Sequence, residues 1–122
     1  DAQTKALREF GIESYFSYSL SKDDLVRSLQ LGIPVVVGFS YKSSGHICLL
    51  VGYDPKGSFK IHDPYGIRQG SSDAYNVGAN GSFDEYSSEM MNKVFWDQGN
   101  ESGWGRIVTS VKGKKTGLPV SL

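Results

Sequence analysis

Apolar residues recur at Ala2, Ala6, Leu7 and Phe10 and are followed by Gly11, the spacing of one helical face closed by a glycine stop. From Ile12 to Tyr18 the pattern changes to alternation, with Ile12, Ser14, Phe16 and Tyr18 set against Glu13, Tyr15 and Ser17, which predicts a strand. Ser21 stands three residues before Asp24, a capping-box arrangement, ahead of Leu25, Val26, Leu29 and Leu31, and Gly32 ends this second helix. Ile33 to Tyr41 is apolar, with Pro34 at its start where a strand tolerates proline, and the consecutive valines Val35, Val36 and Val37 predict a strand covered on both faces.

His46 to Tyr53 is the next strand, Asp54-Pro55-Lys56-Gly57 is a turn by composition, and Ser58 to His62 returns as the hairpin partner. Pairing Tyr53 with Ser58 sets Cys48 opposite Asp63, and His46 shares the face of Cys48 because side chains alternate along a strand. His46 and Asp63 are then diagonal neighbours on one face. Ile67 to Gly81 is polar and aperiodic, a loop that starts at the Asp63 end of its strand and is placed to overhang that pair. Ser82 with Glu85 forms a second capping-box pattern before Tyr86, Met90 and Val94 at helical spacing, Trp104 to Val111 predicts a last strand, and a tail runs from Lys112 to Leu122.

These elements predict an α+β fold, an antiparallel sheet of five or six strands with helices packed at one side, in a single domain spanning 1–122. Thirteen Lys and Arg balance thirteen Asp and Glu, which removes the basic footprint of a nucleic-acid binder; the one basic run, Lys112-Gly113-Lys114-Lys115, reads as a solvated tail. A single cysteine excludes an internal disulfide scaffold. No apolar run approaches the length of a membrane span and no signal peptide is visible. The chain opens at Asp1, inside a helical pattern and without methionine, so it reads as a fragment or processed product with sequence on the N-terminal side.

The chemistry concentrates in the hairpin. A carboxylate that accepts from one imidazole nitrogen fixes the tautomer and leaves the other nitrogen to act as base, which makes His46 and Asp63 the candidate catalytic pair. Cys48 lies beside them, but a thiol in mid-strand between Ile47 and Leu49 has neither a helix N-terminus nor a nearby cation to form the thiolate, and it reads as core packing. Zinc held by His46, Cys48, His62 and Asp63 fails on alternation, which turns His62 to the other face, so neither metal nor cofactor is expected. Ser43 and Ser44 lack the strand-to-helix elbow of a serine nucleophile.

A helix, then Gly32-Ile33-Pro34-Val35-Val36-Val37-Gly38, then Gly45-His46 leading to Gly52-Tyr53-Asp54, then His62-Asp63-Pro64-Tyr65-Gly66, resembles the papain-like cysteine peptidases related to bacteriocin (double-glycine) leader peptidases. The resemblance covers about Asp1 to Gly66, with Ser102-Gly103-Trp104-Gly105-Arg106 as a weaker late match, and is similar to such domains in phage and bacterial proteins, some associated with the cell wall. It implies a papain-like core, with His46 as general base and Asp63 as its orienter. The family's nucleophile, a cysteine opening an upstream helix and preceded by an oxyanion-hole glutamine, has no match here, and Gln3 has no cysteine after it in the leading helix.

The expectation is therefore part of a cysteine peptidase or amidase acting on a peptide, a leader peptide or peptidoglycan. The nucleophile would lie in a missing N-terminal segment of the same protein, leaving the fragment inactive alone. Tyr41, Tyr65 and Trp104 are candidate substrate contacts. The competing expectation is a peptidase-fold module without a nucleophile, with a binding or structural role in a virion or at the cell wall.

Overall fold

The computed structural model describes residues 1–41, 44–64, 67–68, 75–76, 81 and 84–118. The leading pattern forms α1 (Ala2–Glu9), whose cap is Asp1, its carboxylate accepting from the Thr4 amide at 2.8 Å. The chain reverses at Gly11, where φ is +77°, and enters β1 (Ile12–Leu20). Ser21 and Asp24 make the expected capping box of α2 (Lys22–Gln30), with both reciprocal hydrogen bonds present.

Then follow β2 (Val35–Tyr41), β3 (Ser44–Tyr53), β4 (Phe59–His62), β5 (Ile67–Arg68), β6 (Tyr75–Asn76) and β7 (Asp84–Tyr86). The chain closes with α3 (Ser88–Val94), β8 (Gly103–Val111) and β9 (Lys114–Lys115). Among the described residues the main sheet has seven strands, ordered β1-β8-β2-β3-β4-β7 with β9 on β8, all antiparallel. The count exceeds the expected five or six because β7 and β9 have three and two residues, too few for alternation to show.

Three stretches differ from their sequence readings. The helix expected after Ser82 begins later: Glu85 lies within strand β7, and the cap of α3 is Ser87, whose hydroxyl accepts from the Met90 amide. Ile67 to Gly81 contains a two-stranded ribbon, β5 paired with β6, while most of that stretch, and with it the expected overhang, lies outside the described residues. The chain does not run free after Val111. Lys112 (φ +49°) and Gly113 (φ +82°) make a two-residue hairpin turn that pairs Val111 with Lys114, and Leu118 is buried in the core.

Val35, Val37 and Phe39 of β2, Cys48 and Leu50 of β3, Phe59 and Ile61 of β4 and Ile107 of β8 point to one face. Leu25 of α2, Met91 and Val94 of α3, Phe95 and Trp96 complete that core. Gly103 is required there, since a Cβ at this position would stand 2.2 Å from a Phe95 ring carbon. The Trp96 indole donates to the Leu20 carbonyl at 2.9 Å, joining the end of β1 to the segment after α3. The opposite face carries α1 at the β1–β8 end, tied down through Arg106.

Candidate active site

The site is set by the register of two strand pairs. His46 pairs with Phe39 and Cys48 with Val37, so both point to the core face where Phe39 and Val37 are buried. On the other side of β3, Leu50 pairs with Ile61 and Leu49 with His62. Continued one step, that register sets Asp63 beside Cys48 and turns His62 to the opposite face.

The register agrees with the sequence reading by an indirect route. The turn is one residue longer than expected, pairing Tyr53 with Phe59, and an irregularity between Leu50 and Gly52 takes the extra residue back. Turn and bulge cancel before the chain reaches the pair.

His46 Nε2 lies 2.7 Å from Asp63 Oδ1, with both side chains almost wholly out of water. The other carboxylate oxygen, Oδ2, accepts from the Tyr86 hydroxyl at 2.9 Å. The Asp63 amide donates to the Gly81 carbonyl at 3.0 Å, which pins the backbone at the end of β4. Each bond has a clear physical reason. An ionised carboxylate only accepts; with Asp63 ionised, Nε2 is the donor in the short contact, and in a neutral ring the lone pair is then on Nδ1. A buried carboxylate also needs compensating donors, and His46 and Tyr86 supply one to each oxygen. Tyr86 is held in turn by stacking on Phe39, ring centroids 5.1 Å apart, and Phe39 meets Phe95 edge to face. The pair thus rests on an aromatic wall continuous with the core.

Sequence reasoning missed Tyr86. The spacing sets it as the first apolar residue of a helix, whereas it ends β7 opposite Phe59 and reaches along β4 to Asp63. A three-residue strand gives no periodic signal; only the mismatch of a fully buried tyrosine that needs a hydroxyl partner points to it.

Cys48 is buried, as expected of a mid-strand thiol. One donor atom from each of His46, Cys48 and Asp63 lies within 4.8 Å of the other two, so three of the four residues weighed for zinc do converge, and His62 is not in the group. Trp104 is half-exposed and pairs with Gly38, which sets it on the face opposite His46. Tyr41 ends β2 opposite Ser44, with neither side chain among those described; Ser43 and Tyr65 lie outside the described residues. Gln3 is engaged elsewhere, its side-chain oxygen accepting from Arg106 Nε at 2.9 Å on the far face.

Among the described residues no helix is long and apolar enough to cross a membrane. No curated protein and no solved structure matches the chain. A family model does: the Peptidase_C39 like family matches residues 2–98, a span that takes in His46, Cys48, Asp63 and Tyr86. The α+β architecture fits a papain-like fold, and the chain, a peptidase-type domain, belongs to the peptidase C39-like family of cysteine peptidases.

Proposed function

We propose that this domain supplies the base and its orienter to a cysteine peptidase or amidase that cleaves peptide-type amides. His46 takes the proton of the attacking thiol through Nδ1 and returns it to the leaving amine. Asp63 holds the imidazole tautomer through Nε2 and stabilises the imidazolium that forms between those steps. Tyr86 positions Asp63. The observation that carries this reading is the buried 2.7 Å contact between His46 Nε2 and Asp63 Oδ1.

The thiol is then supplied by sequence on the N-terminal side of Asp1. Cys48 is the single cysteine in the 122 residues and is 3% exposed, so a substrate carbonyl has no approach to it. The same burial favours a second reading, a module that keeps the fold and binds peptide or cell-wall material without cleaving it.

Labelling of the full-length protein with a thiol-reactive peptide mimic separates them, the modified residue being mapped by mass spectrometry. The peptidase reading expects one labelled cysteine outside residues 1–122 and loss of the label in His46→Ala. Labelling at Cys48 alone contradicts it, and a protein that binds the mimic reversibly without labelling or cleavage supports the binding module.

A further inference from the structure

We infer that His46, Cys48 and Asp63 form a binding site for a thiophilic divalent cation, with Zn²⁺ the best fit. The donor types come first. Imidazole nitrogen, thiolate sulfur and carboxylate oxygen are the three protein ligands zinc takes, whereas Mg²⁺ and Ca²⁺ require more oxygen donors than the cluster offers.

Geometry is the second ground. Zinc–ligand bonds of about 2.0–2.3 Å in a tetrahedron place donors roughly 3.3–3.8 Å apart. Here one atom from each of the three residues lies within 4.8 Å of the others, so the most widely separated donors need to close by no more than about 1–1.5 Å. The closest pair must open instead, from 2.7 Å between Nε2 and Oδ1.

Charge is the third. All three side chains are buried, where an unmatched dication is costly. A thiolate and a carboxylate supply two negative charges, so the metal enters as a neutral assembly while the Cys48 thiol proton leaves to solvent. Two of the donors stand two residues apart on β3 and the third is their neighbour at the end of β4, so the sheet holds all three. Tyr86, donating to Asp63 Oδ2, orients the carboxylate as an outer partner.

The consequence for catalysis rests on the function proposed above. Zinc replaces the His46–Asp63 hydrogen bond by taking the Nε2 lone pair, the ring proton moving from Nε2 to Nδ1, so the loaded protein has no base. Metal and proton compete for the same three groups, and binding weakens as pH falls.

The test uses the full-length protein with zinc chloride, and with cobalt(II) chloride as a spectroscopic probe. Equilibrium dialysis with elemental analysis should find one zinc at this site, with affinity reduced at least about ten-fold in Cys48→Ala and in His46→Ala and unchanged in His62→Ala. Zinc retention unaffected by Cys48→Ala overturns the proposal. Should the variants not fold, a domain comprising residues 1–122 within a protein whose other cysteines are replaced by serine still decides. Cobalt should produce a thiolate-to-metal charge-transfer band, which only Cys48 can then supply, and its absence at saturating cobalt contradicts the site. Activity is a separate readout. Zinc bound at Cys48 with probe labelling unslowed leaves the metal site standing and removes His46 as the base.

Discussion

Each face of the sheet buries a charged group, and the two groups differ in what their partners allow. On the core face, the His46–Asp63 pair is small and titratable, and its carboxylate is held from the far side by Tyr86. On the other face, the Arg106 guanidinium donates to Gln3 at 2.9 Å, Thr4 at 2.9 Å, Ser14 at 3.2 Å and both carboxylate oxygens of Asp1 at 3.0 Å. It also stands over the Phe16 ring, 5.8 Å from the centroid. Burial draws the Arg106 pKa down, but a guanidinium starts so high that the charge persists at any physiological pH. It does not change its charge in that range, so its network serves to fasten α1 to β1 and β8. The imidazole has two nitrogens, one of them held by Asp63, and on the function proposed above the other receives a proton. Burial of charge is common to both faces; a proton that can move belongs to one.

Substitution on the core face should give the largest effect. Asp63→Ala leaves the imidazole unoriented, and labelling by the peptide mimic should slow about 10²–10⁴-fold with the fold retained by circular dichroism. Asp63→Asn sharpens the result: its amide oxygen still accepts from Nε2, so it should retain distinctly more activity than Asp63→Ala. Equal loss in both would show that the charge of Asp63, rather than its accepting oxygen, matters.

The converse substitution is Arg106→Met. It keeps much of the apolar stem but removes the donors to Gln3, Thr4, Ser14 and Asp1, and urea unfolding should report a loss of about 2 kcal/mol. The labelling rate should stay within about three-fold of wild type, because that network lies on the opposite face of the sheet from His46 and Asp63. A rate loss as large as that of Asp63→Ala would break the division between the faces.

A third polar pair marks the low end. Lys60 and Glu85 meet at 2.9 Å on the surface of β4 and β7. The hydrogen bond from Lys60, then that from Ser58, holds the Glu85 carboxyl below its ordinary value, and the bond to Glu85 raises Lys60. A depressed carboxylate stabilises above its ordinary pKa and stops doing so as pH falls through its folded value. A raised lysine stabilises below its ordinary pKa and stops as pH rises through its folded value. Glu85→Gln should therefore shift the thermal midpoint slightly near neutral pH, and the difference from wild type should vanish in acid and be screened by salt.

Much of the candidate site was legible because strand alternation is strict. Once Cys48 faced Asp63 across the hairpin, His46 had to share their face and His62 could not. The sequence did not disclose that a longer turn and a bulge near Val51 compensate, since either alone reverses every side chain beyond it. Tyr86 was hidden for a different reason: Asp84, Glu85 and Tyr86 are too few to show a period, and Ser82 with Glu85 imitates a helix cap. The capping box of α2 was readable because both partners are local, whereas Tyr86 is defined by a partner 23 residues away.

The most direct measurement is nitrogen-15 NMR of the His46 ring in its neutral form. It should show the proton on Nε2, strongly deshielded by the short bond to Asp63, and a bare Nδ1, with the deshielding lost in Asp63→Ala. A proton on Nδ1 with Nε2 bare would mean that Asp63 itself carries the bridging proton and that no lone pair remains to receive one from a thiol, and His46 could not then be the base.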